Sequence, residues 1–256
     1  SVSLLCVSLR SLDIVPLRSP FDRVRLGAAW LLALSAPAAA AATTDWFPDP
    51  PTLPHYRWQA PECGNCVAFD APTTWKRMAV LAGFPAPRFL VALEGIEQAA
   101  SLAPDTVVVA PTLFKLDVCQ QAFVIGHEIA HLARRHFDAE AVAVLEYAGH
   151  PPHWTASGNA ALQLLDGDYR LAMQLSRVWQ AHEREADRLG GLLAAQASGC
   201  ELAAGALAFL GAEADTEVGL YLTHASARQR IADLLPFVEQ ARALAARRPP
   251  DLLTTR

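Results

Sequence analysis

Apolar residues follow a helical repeat most regularly between residues 117 and 133. Asp117 is a good helix N-cap, and Gln120 stands at the position that completes a capping box. Beyond this start, apolar residues recur at helical spacing, at Val118, Ala122, Ile125, Ile129 and Leu132. The pattern therefore predicts a helix that begins after Asp117 and buries one apolar face.

Two shorter runs ahead of this helix are typical of strands, because they are rich in β-branched and aromatic residues. The first covers residues 88–93, and the second consists of Thr106, Val107, Val108, Val109 and Ala110. Residues 192–210 and 225–246 are rich in Ala and Leu and are predicted to be helical. Together these elements predict an α+β fold that is mainly helical, with a small β-sheet ahead of the 117–133 helix.

The first 42 residues are expected to be a leader. Arg23 and Arg25 precede a short apolar run and then small residues up to Ala42, which is the pattern of an export signal peptide over residues 24–42. The sequence has no initiating Met, so we expect translation to begin at Val24 and residues 1–23 to be spurious. These features predict an exported, periplasmic protein. An uncleaved anchor in the inner membrane is the alternative.

The remaining sequence divides into an arm, a domain and a tail. Residues 43–75 form an arm rich in Pro and aromatic residues, residues 76–246 are expected to form one domain, and residues 247–256 a flexible tail. The formal net charge is −5 and no basic tract is present, so nucleic acid is not an expected partner. Contact with a membrane is expected only through an uncleaved leader.

Four cysteines lie beyond the leader, at Cys63, Cys66, Cys119 and Cys200. An even number suits an oxidising compartment, and it favours one disulfide within Cys63/Cys66 and another between Cys119 and Cys200. A redox pair and half of a zinc knuckle remain alternatives for the Cys-x-x-Cys segment. The sequence alone does not prove the connectivity.

The predicted helix carries His127, Glu128 and His131 in a His-Glu-x-x-His pattern. Residues four apart lie one above the other on a helix, so both imidazoles can reach one metal ion. Glu128 lies one step round the helix, near enough to act on a water as general base without being a ligand. The alternative is a helix that carries two surface histidines and an acid.

A second helical stretch supplies acids that can complete such a site. Glu183 and Asp187 are four residues apart, so their carboxylates share one helix face. A carboxylate that faces the cation is a ligand, whereas an acid one turn along can hold the N–H of a ligating histidine. The alternative is a solvated face, because charges of both signs are dense here.

The order of these motifs over residues 76–235 resembles a known family. His127-Glu128-x-x-His131 is followed by Glu183-x-x-Ala186-Asp187, and then by His224 and Arg230. This order is similar to that of the HtpX-like and CAAX-prenyl-protease-like zinc metallopeptidases, and to their soluble periplasmic, BepA-like members without the repeat domain. The resemblance implies a zincin-type metalloprotease domain that binds one Zn²⁺ through His127, His131 and Glu183.

The resemblance also implies roles for the neighbouring residues. Glu128 is the expected catalytic base, Asp187 is expected to support a ligand, and His224 and Arg230 are expected to line the cleft as catalytic residues. His136 is a recurrent family position, but we expect an ordinary histidine at a helix end. Ala225 stands where the family commonly has proline, which weakens the match around His224.

The expected substrate is an unfolded or extended polypeptide. In the family an edge strand ahead of the zinc helix pairs with substrate, and Thr106–Val109 with Ala110 is the expected strand here; the alternative is a covered core strand. We therefore expect a metalloendopeptidase that acts on exported or misfolded envelope proteins. A low-turnover zinc-fold chaperone or scaffold, and a zinc amidase acting on a non-protein substrate, are the alternatives.

Overall fold

Seven helices and four strands make up the described part of the chain. The computed structural model describes residues 46–52, 65–84, 87–92, 96, 98–102, 104–147, 149, 169–214 and 224–247. The expected leader, Cys63 and the tail beyond Arg247 lie outside these residues. The expected domain boundaries therefore stay predictions.

The strands and the first helix come before the histidine-bearing helix. In chain order they are β1 (Cys66–Ala68), α1 (Thr73–Leu81), β2 (Arg88–Ala92), β3 (Ala99–Leu102), β4 (Thr106–Val109) and a 3₁₀ turn (Pro111–Lys115). The helices that follow are α2 (Val118–Ala133), α3 (His136–Tyr147), α4 (Tyr169–Ser198), α5 (Ala208–Ala214), α6 (Ala227–Leu234) and α7 (Val238–Ala246). The expected α+β, mainly helical fold with a small sheet ahead of α2 is confirmed.

The four strands form one mixed sheet in the order β1-β2-β4-β3. β2 and β4 are parallel and pair Phe89 with Val107 and Val91 with Val109, whereas β1 and β3 are antiparallel to their neighbours. β3 lies at one edge of the sheet, and its neighbour β4 is buried along its whole length.

The prediction that residues 106–110 are a substrate strand at a sheet edge is wrong. β4 is hydrogen-bonded to β2 on one side and to β3 on the other, and the Ala110 N–H donates to the Gln98 carbonyl at 2.8 Å. Its backbone groups are therefore already paired. The dense β-branched run reflects burial on both faces of an interior strand, which is the reading that the sequence left as the alternative.

Helix α2 begins as the sequence predicts. The Asp117 side chain accepts from the Cys119 N–H at 2.8 Å, and the Gln120 side chain accepts from the Asp117 N–H at 3.2 Å, which completes the capping box. Ala122, Ile125, Ile129 and Leu132 are buried, whereas Val118 is 67% exposed because the first turn extends beyond the core.

Helices α2 and α4 approach each other most closely at two glycines. A Cβ atom on Gly126 would lie 2.5 Å from the Gly190 carbonyl oxygen, and one on Gly190 would lie 2.4 Å from the His127 nitrogen. Backbone atoms fill both positions, so only glycine fits there. This contact brings the His127 turn of α2 directly against α4.

A disulfide joins the same two helices beyond this crossing. Cys119 in the first turn of α2 is bonded to Cys200, two residues after the end of α4, across a sequence separation of 81. This is the pairing that the sequence favoured. Cys66 is also disulfide-bonded, and its favoured partner, Cys63, lies outside the described residues.

The arm also contributes to the packing of these helices. Trp46 and Phe47 pack against Ala130 of α2 and Leu189 of α4. The Trp46 indole N–H donates to Gln196 Oε1 at 2.9 Å. The first described residues of the arm therefore lie against the outer side of the α2–α4 pair.

The C-terminal part is less continuous than its composition suggests. The predicted 192–210 helix is interrupted after Ser198 at Gly199, which has a φ of 77°, and a single wide turn over Ala203–Leu207 leads into α5. No single described helix is long and apolar enough to span a membrane; Met173–Ser198 and Ala203–Glu213 meet that test only as a pair, bent by 119°.

Replacing Gly126 with alanine is expected to lower the free energy of unfolding by about 1–3 kcal/mol, because the added methyl group overlaps the Gly190 carbonyl. Urea denaturation measures the change. The matched control is Gly211→Ala in α5, where nothing lies within 4 Å of the added atom. That variant should be neutral or up to about 1 kcal/mol more stable. Equal behaviour of the two variants would show that the crossing tolerates a side chain.

Removing the Cys119–Cys200 disulfide by a double alanine substitution is expected to cost about 2–4 kcal/mol, because the cross-link restricts the unfolded chain. Urea unfolding with and without reductant is the measurement. Reductant should destabilise the wild type more than the double variant, in which only the Cys66 disulfide remains to be reduced. Identical shifts in the two proteins would contradict a stabilising role for this disulfide.

Candidate metal centre

Three ligand atoms converge between α2 and α4. His127 and His131 come from consecutive turns of α2, and their Nε2 atoms are 3.0 Å apart. Glu183 projects from α4, with Oε2 3.2 Å from His127 Nε2 and Oε1 3.4 Å from His131 Nε2. The structure therefore brings together the three residues that the sequence singled out as metal ligands.

The two distances from Glu183 fit a tetrahedral zinc ion, and the two imidazole nitrogens lie slightly closer together than such an ion would place them. Nitrogen and oxygen ligands with bonds of about 2.0–2.2 Å are about 3.3–3.5 Å apart around such an ion. Glu183 Oε2 is buried and accepts no hydrogen bond of normal geometry from the described residues, although His224 Nε2 lies 2.8 Å away. Buried carboxylate oxygens need a partner, and a cation held with both histidines supplies one.

Negative charge surrounds the two histidines. Burial alone would lower the pKa of His127, but the hydrogen bond with Asp187 and the charges of Glu183 and Asp187 outweigh it and raise the pKa to about 10. The pKa of His131 is also raised, since the Glu183 carboxylate outweighs the effect of burial. The same acids that hold protons here favour a divalent cation, which displaces those protons when it binds.

Asp187 supports His127 from behind. Its Oδ1 atom lies 3.0 Å from His127 Nδ1, so the Nδ1–H donates to the carboxylate and Nε2 is left as the ligand atom. Burial alone would raise the pKa of Asp187, but the charge and hydrogen bonds of Arg230 and His127 lower it to about 2. The carboxylate is therefore ionised at neutral pH, in the supporting position that the resemblance implied.

Arg230 does not line the cleft, so the prediction of a catalytic role for it is wrong. Its guanidinium donates to both oxygens of Asp187, from Nε at 2.7 Å and from the terminal nitrogen at 2.6 Å, and the residue is only 9% exposed. A side chain held this way cannot reach a substrate. Its position on α6 instead keeps Asp187 ionised and oriented.

Glu128 and His224 lie at the accessible side of the centre. Glu128 is partly exposed on α2, next to His127, and its charge contributes to the raised pKa of His131. His224 comes from the segment just before α6, and its side chain is 42% exposed. Their partial exposure is compatible with the cleft roles that the resemblance implies, and those roles stay predictions.

His131 has a different support from His127. Its Nδ1 atom lies 3.1 Å from Nδ1 of His136, whose Nε2 lies 3.1 Å from Glu185 Oε2. Burial lowers the pKa of His136 to about 4, although the hydrogen bond with Glu185 opposes this effect. The hydrogen bond with His136 and the charge of Arg134 lower the pKa of Glu185 to about 2, against the opposing effect of burial.

A break between helices brings His136 to this position. Residues five apart on a continuous helix are about 140° apart around its axis and do not meet. Helix α2 ends at Ala133, and Arg135 adopts a left-handed backbone with a φ of 54°, so that α3 restarts at His136 in a new direction. The sequence predicts an ordinary helix-end histidine at His136 and gives no signal for Glu185, since neither contact follows from helical spacing.

His182 lies behind His136 and does not bind the metal centre. The two rings are stacked with centroids 4.4 Å apart at an angle of 4°, and His182 Nδ1 lies 2.8 Å from Glu140 Oε1. Successive residues of a helix point about 100° apart, so His182 points away from the cation that its neighbour Glu183 faces.

A family model named peptidase family M48 matches residues 72–237, well over half of the 256 residues. The chain belongs to peptidase family M48. No curated protein and no solved structure matches it significantly. The family consists of zinc-dependent metalloendopeptidases with a zincin-like domain, and the His127, His131 and Glu183 cluster is the group in this M48 peptidase that suits zinc.

Replacing Arg230 with methionine tests the role assigned to it. The change leaves the buried Asp187 carboxylate without its cationic partner, so we expect a stability loss of about 3–5 kcal/mol. Zinc affinity should fall by about 10–100-fold, because His127 loses its oriented acceptor. Thermal unfolding and competition with a zinc chelator measure the two effects.

The control for this substitution is Arg184→Met, which removes an exposed arginine of α4 paired with Asp233 at 3.9 Å. Stability and zinc affinity should be nearly unchanged there. If Arg230→Met lowered only the turnover rate and left stability and zinc affinity unchanged, Arg230 would be a cleft residue after all.

Proposed function

We propose that this M48 peptidase is a zinc-dependent endopeptidase that cleaves exported or misfolded envelope proteins, with one zinc per chain and Glu128 as general base. The observation that carries the proposal is the convergence of His127, His131 and Glu183, with the partly exposed Glu128 next to His127 on the same helix. A purely structural metal site is usually closed by four protein ligands, whereas three ligands leave a position open.

The chain's own residues supply the proton transfers. Zinc, when bound, supplies Lewis-acid chemistry that makes water a nucleophile near neutral pH. Glu128 accepts the proton of the attacking water and passes it to the leaving amine nitrogen. His224 is exposed enough to donate a hydrogen bond to the substrate carbonyl oxygen as charge develops on it.

The edge strand β3 offers a place for an extended substrate. Ala99–Leu102 pairs with β4 on one side, and within the described residues no strand pairs with its other side. β3 also lies beside α2, which carries both histidines. Main-chain pairing along this edge binds extended polypeptides with little sequence selectivity, which suits a peptidase that acts on unfolded protein.

Export supports the envelope part of the proposal. The N-terminal residues have the pattern of a signal peptide, and the Cys119–Cys200 disulfide joins the two helices that carry the metal centre. Disulfides persist in oxidising compartments such as the periplasm. A cleaved leader places the peptidase free in that compartment, and an uncleaved one anchors it at the membrane.

The function is tested with wild type and Glu128→Gln, in which an amide replaces the base without a change of shape. Both proteins are expected to hold about one zinc, since Glu128 is not a ligand. Cleavage of casein should fall by about 100-fold or more in the variant. Metal analysis and peptide release are the measurements, and chelation of zinc should stop cleavage in the wild type.

The matched control is Glu146→Gln, the same substitution at an exposed position of α3, which should cleave casein at the wild-type rate. Casein cleavage by Glu128→Gln at a rate close to that of the wild type would show that Glu128 is not the general base. Zinc in both proteins with cleavage in neither favours a chaperone or scaffold, and turnover of small amides without casein cleavage favours an amidase.

A further inference from the structure

Behind His131, hydrogen-bonding groups extend away from the metal centre in a relay formed by His131, His136 and Glu185. The two distances along it are both 3.1 Å, and the second Glu185 oxygen accepts from Arg134 Nε at 3.0 Å. His127 meets the Asp187 carboxylate directly, whereas His131 reaches a carboxylate only through another imidazole. The two ligands are therefore supported differently.

The chemistry of the neighbouring atoms shows which group donates in each hydrogen bond of the relay. The Glu185 carboxylate is paired with Arg134, which has only donors, and it accepts from His136 Nε2 with its other oxygen. His131 Nε2 faces His127 and Glu183, so the hydrogen of a His131 ring that binds a cation lies on Nδ1, where the lone pair of His136 Nδ1 can accept it. The proton between the two imidazoles therefore belongs to His131 Nδ1.

His136 Nδ1 is therefore placed to hold that hydrogen, and with it the tautomer of His131. A neutral ring protonated on Nδ1 has its lone pair on Nε2, the nitrogen that faces His127 and Glu183. The other tautomer would point a hydrogen at the cation. We propose that His136 is a positioning residue that, backed by Glu185, holds His131 in the neutral tautomer able to bind zinc. The inference rests on the proposed function, since it takes His131 as a zinc ligand.

The surrounding fold holds the relay in place. His182 stacks on the face of the His136 ring and fixes its plane. Arg134 donates to Glu185 and also to the Pro48 and Asp49 carbonyls of the arm, so the carboxylate cannot swing away freely. Each member of the relay therefore has a second contact outside it, as residues that orient a ligand usually do.

Zinc affinity of the purified protein, measured by competition with a fluorescent chelator, tests the proposal independently of cleavage. His136→Leu removes both hydrogen bonds and should weaken zinc binding by about 10–100-fold. His136→Asn keeps an acceptor close to the position of Nδ1, so its affinity should lie nearer to that of the wild type. Thermal unfolding of the zinc-free proteins shows whether each variant folds.

The relay also predicts a difference between two glutamates that have similar exposure. Glu185→Gln places an amide at the end of the relay, and an amide can donate as well as accept. His136 is then no longer required to donate from Nε2, so zinc binding should weaken by about 10-fold. Glu140→Gln makes the same change at the partner of His182, with side-chain exposures of 25% and 27% at the two positions. Its zinc affinity should stay close to that of the wild type.

Imidazole nitrogen NMR of the zinc-loaded wild type provides a signature that a merely structural histidine would not give. His136 should be neutral and protonated on Nε2, and comparison with the His136→Leu spectrum assigns its signals. A proton on His136 Nδ1, or equal zinc affinity in wild type, His136→Leu and Glu140→Gln, would overturn the positioning role alone. A wild type that binds no zinc would overturn the proposed function and the relay together.

Discussion

The metal centre depends on how closely two helix backbones can approach. Gly126 and Gly190 remove the side chains that would hold α2 and α4 apart, and the carbonyl of one glycine occupies the space of the other's Cβ. On α4, Glu183, Asp187 and Gly190 follow one another at helical spacing along a single face, so the surface that allows contact also carries the acids. The separations of 3.2 and 3.4 Å between Glu183 and the two histidines follow from that spacing of the backbones.

Around this crossing, charge is arranged in layers. The ligands are surrounded by partners that are themselves paired: Asp187 with Arg230, and Glu185 with Arg134. A buried carboxylate without a cationic partner would be costly, so each arginine makes the ionised acid behind a ligand tolerable. The consequence is a centre whose net charge favours a divalent cation and whose ligands are largely buried.

Helical periodicity predicted that His127 and His131 share one helix face and that Glu183 and Asp187 share another, and the family resemblance supplied their roles. The capping box at Asp117 and the sheet ahead of α2 were predictable for the same local reasons. The strand order was not, since the β-branched run of β4 is equally consistent with an edge and with an interior position. The contact between His131 and His136 was not predictable either. It requires a left-handed backbone at Arg135, and the sequence has no glycine there to indicate a break in the helix.

The arm changes what counts as one folding unit. The match to the family model begins at residue 72, yet Trp46 and Phe47 already pack against the α2–α4 pair, and Arg134 donates to the Pro48 and Asp49 carbonyls. Residues 46–49, which lie outside the matched region, therefore pack against the two helices that carry the metal ligands. A change in residues 46–49 would alter the position of Arg134 and, through it, of Glu185 behind the ligand His131. Every residue of the recognised motifs would stay the same.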